Sequence, residues 1–210
     1  TGAQEAEHFI VMARTSDDPR KGLTAFLYHR DQPGWSILRR IGIMGPEEHG
    51  GHCELSYDGL EVSDENVLGQ VGDGLKITQI RLGPARLTHC MRWLGLSKRC
   101  MEIGAAYANE RMAFGQLIGT FQGISHPLAD RLCEVDGAKF LVWKAIRDIY
   151  DGSNEAAPGI SLALHWASKY CVDAASQALH TFGGYGLTTE YDVHLFVLRA
   201  KAWPLVFGDT

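Results

Sequence analysis

The sequence predicts an α+β protein in which an antiparallel β-domain precedes an antiparallel four-helix bundle. Three observations support this class. Short apolar runs separated by turn residues fill the first third of the chain, a glycine-rich segment follows at 69–74, and apolar residues recur every three or four positions thereafter. We therefore divide the chain into a partial β-domain at 1–70 and a helical bundle at 71–210.

The first third predicts β-strands because its apolar runs are short and end in turns. Asp17-Asp18-Pro19 and Pro33-Gly34 are typical turn sequences, and Cys53, Leu55 and Tyr57 alternate with polar residues, as in a half-buried strand. Without helical patterns between them, such strands form an antiparallel sheet. The predicted strands lie at 8–13, 23–28, 35–41, 53–57 and 60–62.

The remaining two thirds predict four helices joined by short connections, which is typical of an antiparallel bundle. Pro84 must kink the first helix or lie in its early part. Ser125 is the predicted N-cap of the second helix, with Pro127 in its first turn, and Gly183-Gly184 ends the third. The predicted helices are 73–112, 125–150, 158–182 and 191–203.

On the second helix, the apolar positions predict one buried stripe. On the third helix, a similar stripe is expected to face the core. The first stripe comprises Leu128, Leu132, Val135, Val142, Ala145 and Ile149, and the second comprises Ile160, Leu164, Ala167, Cys171, Ala174, Ala178 and Phe182.

Composition excludes several classes of function. The net charge of -5, with scattered basic residues, argues against nucleic-acid binding, and no apolar run is long enough to span a bilayer. The five cysteines are widely spaced among apolar neighbours, which predicts reduced core thiols in a cytosol-like compartment. Their spacing does not match a zinc site, so we predict no metal.

Two segments combine residue types that suit a ligand. Residues 183–186 read GGYG after a helix, which fits a helix cap with a sharp turn or a backbone that approaches a ligand closely. Arg111 and Phe114 stand at the end of the long helix. The arginine could complement the helix dipole, or the pair could bind a planar cofactor that bears phosphate.

Taken together, four motifs in register resemble the acyl-CoA dehydrogenase family. Residues 53–69 resemble the family's exit from its β-domain, and 109–116 resemble its ER..FG turn. Residues 180–186 resemble its Q.FGG.G loop, and 189–191 match the family's segment directly after that loop. The resemblance covers practically the whole chain and corresponds to a fragment: the second half of the β-domain plus the C-terminal helical bundle.

The resemblance implies an FAD-dependent oxidoreductase of fatty acid metabolism that acts on an acyl-CoA thioester. In such enzymes a carboxylate removes the α-proton while the β-hydrogen leaves as hydride to the flavin. It also implies a homodimer or homotetramer, and an electron-transfer flavoprotein or a similar acceptor as partner. The expected location is cytoplasmic, or mitochondrial in a eukaryote.

The resemblance further implies roles for individual residues. Three residues match family positions that hold the adenosine-pyrophosphate end of the flavin. In the family these positions belong to a neighbouring subunit. The three residues are Arg111, Phe114 and Gln122. The glycine loop that meets the same cofactor corresponds to Phe182, Gly183 and Gly184, with His180 in place of the usual glutamine. Thr1 falls where a threonine contacts the flavin ring, and Arg86 matches an arginine near the substrate.

The catalytic base is where the chain departs from the family. The two positions that usually carry this carboxylate are Phe207 and Ala85, and neither side chain can accept a proton. Asp209, two residues farther along, is our predicted base. The alternative is a catalytically silent dehydrogenase-like subunit or scaffold; a third possibility is an oxidase, or a dehydrogenase with another substrate.

Overall fold

The computed structural model describes residues 1–44 and 51–206. The chain forms two compact units, 1–82 and 83–210. The division falls beside Pro84, inside the first helix. The α+β class is confirmed. The domain division at residue 70 stays a prediction.

In the first unit, four strands lie close to their predicted positions: β1 (His8–Arg14), β2 (Leu23–His29), β3 (Trp35–Ile41) and β4 (His52–Tyr57). They form two antiparallel ladders, β1 with β2 and β3 with β4, instead of one continuous sheet. Aromatic contacts join the ladders. The Phe9 and Trp35 ring centroids lie 4.7 Å apart, and the hydroxyls of Tyr28 and Tyr57 are 3.0 Å apart.

The predicted strand at 60–62 is wrong. Gly59 ends the preceding turn with φ 71, the next residues have no ladder partner, and β5 (Val67–Leu68) pairs with β2 instead. Local alternation indicates an extended backbone but cannot show that a neighbouring strand is present to pair with it. The predicted alternation of β4 is also incomplete, because Tyr57 is exposed.

The helices are α1 (Gly74–Glu110), α2 (Gln122–Tyr150), α3 (Ala156–Phe182) and α4 (Val193–Ala202). Between α1 and α2 lies a small hairpin of β6 (Met112–Ala113) and β7 (Gln116–Leu117). The predicted N-cap Ser125 is wrong, because α2 begins at Gln122. The Ser125 hydroxyl donates instead to the carbonyl of Phe121, which occupies the cap position.

The core of the second unit lies between α1, α2 and α3. Trp93 on α1, Val142 on α2 and Ala167 on α3 belong to one buried cluster. The predicted stripe on α3 is buried except for Leu164, which is partly buried, but Leu132 and Ile149 on α2 are exposed. Apolar residues that recur every three or four positions identify an apolar side of the helix. This periodicity does not show which of two adjacent faces packs against the core.

The five cysteines divide by burial. Three are buried, whereas Cys53 is half-buried and Cys133 is exposed, so the expectation of a core thiol is wrong for Cys133. Burial raises the pKa of the buried thiols because it penalises the thiolate. The buried thiols are Cys90, Cys100 and Cys171.

Across residues 1–44 and 51–206, no helix is both long and apolar enough to cross a membrane. Nor does that part of the chain hold a group of three or more histidine, cysteine, aspartate or glutamate side chains arranged to bind a metal ion.

Candidate functional site

An open pocket of about 480 Å³ lies in the second unit, where the ends of α1 and α3 meet. It brings together two sequence motifs separated by about seventy residues, the one around Arg111 and the glycine loop after α3. Its lining residues are Tyr107, Arg111, Ile118, His180, Thr181, Phe182, Gly183, Gly184, Tyr185 and Thr188.

Arg111 supplies the positive charge of this pocket. Its N–H donates to the Tyr107 carbonyl at 2.9 Å, which ends α1, and its own carbonyl accepts from the Ile118 N–H at 2.9 Å. Its guanidinium lies 5.6 Å from the centroid of the Tyr185 ring. Within the described chain no carboxylate pairs with Arg111, so an anionic ligand would meet an uncompensated cation.

The three glycines of the loop have different surroundings. Gly183 ends α3 with φ 59 and ψ -137, a backbone region that side chains other than glycine rarely enter. A methyl group on Gly184 would meet no atom within 4 Å, so this residue leaves room at the pocket. A methyl group on Gly186 would lie 2.7 Å from the Leu179 carbonyl oxygen, so the loop could not pack back on α3.

An aromatic cluster fixes the loop against the end of α1. The Phe182 ring stacks on the Tyr107 ring with centroids 4.1 Å apart and an interplanar angle of 19°. Tyr191 meets both rings edge-on, at 4.9 Å and 5.7 Å. The buried Phe182 therefore anchors the loop, while the exposed His180 on the last turn of α3 lines the pocket.

The sequence reasoning did not identify Tyr107 and Tyr185 as site residues. Tyr107 could have been found, because it precedes Arg111 by one helical turn and so shares its side of α1. Tyr185 lies within the GGYG segment, but its contact with Arg111 depends on the tertiary structure.

Two other predicted cofactor residues, Phe114 and Gln122, are not among the lining residues. Phe114 and Gly115 form the hairpin turn with φ 53 and 82, the positive values that a tight two-residue β-turn requires. The Phe114 side chain is 96% exposed, and its ring lies 6.2 Å from that of Phe121, directly before Gln122. Both residues are thus exposed, Phe114 at the hairpin turn and Gln122 at the first position of α2.

Three further predicted site residues are Arg86, Thr1 and Asp209. Arg86 and Ala85 are half-buried on α1, and the helix rise puts Arg86 about 37 Å along the axis from Arg111. Thr1 belongs to the first unit, where its hydroxyl lies 3.0 Å from Nδ1 of His52. The predicted base Asp209, and Phe207, lie outside the described residues.

Comparison with known proteins identifies the family. The profile described as "Acyl-CoA dehydrogenase, C-terminal domain" matches residues 72–210. The chain is 32% identical to an acyl-CoA dehydrogenase of Bacillus subtilis (strain 168), covering 99% of this chain and 55% of that protein. It is also 32% identical to the mitochondrial short/branched chain specific acyl-CoA dehydrogenase of Rattus norvegicus, covering 100% and 48%.

Solved structures agree with the sequence comparison. Glutaryl-coenzyme A dehydrogenase in its glutaryl-CoA complex superposes with a TM-score of 0.91 at 31% identity, covering 99% of this chain and 53% of that one. Butyryl-CoA dehydrogenase from Megasphaera elsdenii gives 0.88 at 29%, covering 95% and 52%. The chain thus spans about half the length of the relatives it matches. It belongs to the acyl-CoA dehydrogenase family.

Proposed function

We propose that the protein takes part in the α,β-dehydrogenation of an acyl-CoA thioester, and that the Arg111 pocket holds the adenosine-pyrophosphate end of FAD. Acyl-CoA dehydrogenases are FAD-dependent oxidoreductases. The observation that carries the proposal is the convergence of Arg111, His180 and the Gly183-Gly184 backbone on one open pocket.

The residues of this pocket fit a pyrophosphate chemically. Arg111 offers a planar, permanently charged group with several N–H donors, and it has no carboxylate partner in the described chain. Gly184 leaves room where any side chain would project, so a phosphate can approach the backbone. His180, which stands where the family has glutamine, adds a ring nitrogen that can donate a hydrogen bond.

The distance along α1 supports a cofactor shared between two copies of the protein. Arg86, the proposed substrate-side residue, and Arg111 are separated by about 37 Å of helix. This separation favours different reaction centres for the two residues of one chain. We infer that the Arg111 pocket of one copy serves the reaction centre of another.

When bound, FAD supplies a two-electron acceptor for the β-hydrogen. This chain's contribution to the chemistry is positional: Arg111 and the glycine loop hold the cofactor, and Arg86 orients the thioester. We assign α-proton removal to the carboxylate of Asp209. Electrons then pass to an electron-transfer flavoprotein or a similar acceptor.

A catalytically silent subunit is the second candidate, because Ala85 and Phe207 occupy the two usual base positions. Such a subunit would bind flavin or a partner chain without oxidising a thioester. It predicts an intact flavin site together with no proton transfer.

Anaerobic spectroscopy of the complete gene product separates these candidates. Yellow protein whose 450 nm absorbance bleaches with saturated acyl-CoA thioesters, butyryl-CoA among them, supports the dehydrogenase. Yellow protein that no thioester bleaches supports the silent subunit, or an oxidase or dehydrogenase with another substrate. Colourless protein that cannot be reconstituted with FAD contradicts the proposal.

A further inference from the structure

The guanidinium of Arg111 contacts an aromatic ring and no carboxylate. Its central carbon lies over the Tyr185 ring, 5.6 Å from the centroid, which is within the range of a cation–π contact. Among the described residues, no hydrogen bond or ion pair of the guanidinium accompanies this contact. Arg147 shows the other arrangement, because it lies 5.7 Å from the Tyr150 ring and also donates to the Asp151 carboxylate at 2.6 Å.

The Tyr185 ring is itself fixed by the glycine loop. Its carbonyl accepts two hydrogen bonds from Thr188, one from the backbone N–H at 3.1 Å and one from the hydroxyl at 2.8 Å. Its ring meets the Tyr191 ring edge-on, with centroids 6.1 Å apart and an interplanar angle of 77°. The next residue, Gly186, is buried and packs closely against α3. The ring is therefore a firm support for a neighbouring side chain.

An aromatic ring can orient an arginine without using its hydrogen-bond donors. A carboxylate partner would accept one or two of the five N–H groups and would neutralise the charge. The face of the Tyr185 ring accepts none of them strongly, so all five remain free for an incoming anion. A side chain that is already restrained also loses less conformational freedom when the anion binds.

Two carboxylates near Arg111 make this restraint important. A second cavity of about 530 Å³ is lined by Arg111 and Tyr185, as the first pocket is, and also by Glu110 and Glu190. In the part of the chain that the structure describes, neither glutamate forms an ion pair with Arg111. If the guanidinium turned towards either carboxylate, its charge would be neutralised and it would be lost to an anionic ligand.

We propose that Tyr185 is a positioning residue that holds the Arg111 guanidinium in the Arg111 pocket, where it can bind the pyrophosphate of FAD. This inference rests on the proposed function of that pocket and adds a residue that the sequence motifs did not identify. Tyr185 acts through Arg111 and not by its own contact with the cofactor. Its contribution therefore requires the arginine to be present.

A double-mutant cycle tests this dependence. The flavin-free complete gene product is titrated with FAD as the wild type, Tyr185→Leu, Arg111→Gln and the double variant. Tyr185→Leu should weaken FAD binding about fivefold, the magnitude of a partly exposed cation–π contact. Arg111→Gln should weaken it about tenfold or more. The double variant should be no more than about twofold weaker than Arg111→Gln, because the ring then has no cation to hold.

Two further variants serve as controls. Tyr185→Phe keeps the ring and loses only the hydroxyl, so its FAD affinity should stay within about twofold of the wild type. Tyr150→Leu removes the ring over Arg147 on α2, outside the pocket, and should leave FAD affinity unchanged. Circular dichroism establishes that each variant is folded.

The outcomes separate this inference from the proposed function. A folded Tyr185→Leu protein that binds FAD as tightly as the wild type would overturn the inference alone. So would a fivefold loss that persists in the Arg111→Gln background, because the ring would then contact the cofactor directly or merely support the loop. An Arg111→Gln protein with wild-type FAD affinity would overturn the proposed function of the pocket and this inference with it.

Discussion

Gly183→Ala is the substitution whose consequence follows most directly from the backbone. Gly183 has φ 59 and ψ -137, which lies in a region used almost only by glycine. No atom lies within 4 Å of the added methyl group, so the penalty comes from the backbone alone. Holding a residue with a side chain in such a region costs about 1–3 kcal/mol.

Urea denaturation measures this penalty as a loss in the free energy of unfolding. Gly184→Ala is the matched control. Its added methyl group also meets no atom within 4 Å, and its φ is not positive, so its free energy of unfolding should change by less than about 0.5 kcal/mol. The same two proteins should both bind FAD less tightly, because Gly183 and Gly184 line the pocket.

The two readouts distinguish backbone strain from contact with the ligand. We expect Gly183→Ala to lose stability and FAD affinity, and Gly184→Ala to lose FAD affinity alone. A Gly183→Ala protein as stable as the wild type would refute the conformation assigned to the loop and, with it, the explanation of why the loop contains glycine.

Three further predictions concern the core, the thiols and the base. Trp93→Ala should reduce the free energy of unfolding by about 3–5 kcal/mol in urea, because Trp93 is only 1% exposed in the main core cluster; a loss below about 1 kcal/mol would contradict that packing. At pH 8 a thiol reagent should modify exposed Cys133 in the native protein and spare the three buried cysteines, detected by peptide mass spectrometry; prompt labelling of a buried thiol would argue against the fold. Burial raises the pKa of the three buried thiols, Cys90, Cys100 and Cys171, to about 12, 12 and 11, so few of them are in the reactive thiolate form. Asp209→Asn should abolish anaerobic bleaching by acyl-CoA without loss of bound flavin; unchanged bleaching would remove Asp209 from the mechanism.

Stability should also decline in alkaline solution because of the same thiols. Their pKa values are raised in the folded state, so below about pH 9 they are neutral in both folded and unfolded chains and contribute nothing. Above that pH the unfolded chain loses protons that the folded chain keeps, which favours unfolding.

The helices were predictable from sequence to within a few residues because apolar periodicity reports burial locally. α3 was predicted at 158–182 and extends over Ala156–Phe182, where Gly183 stops it. The start of α2 was wrong because serine, an effective N-cap, instead bonds back to the Phe121 carbonyl inside the helix. Which strands pair with which was not accessible, because pairing depends on residues distant along the chain.

The candidate site was predictable only in part. Sequence motifs identified Arg111 and the glycine loop, but their convergence on one pocket depends on how the ends of α1 and α3 pack. Tyr185 was missed for the same reason. Periodicity can also mislead: Leu132 has the spacing of a core residue, but it is exposed on the surface.

The most direct test of the shared dinucleotide site is an equilibrium titration of the flavin-free protein with FAD and with FMN, which lacks the adenosine-phosphate end. Arg111→Gln keeps hydrogen-bond donors but removes the charge. We predict that it weakens FAD binding about tenfold or more and leaves FMN binding unchanged. Equal FAD affinity in the wild type and Arg111→Gln would contradict the claim that Arg111 and the Gly183 loop hold one dinucleotide.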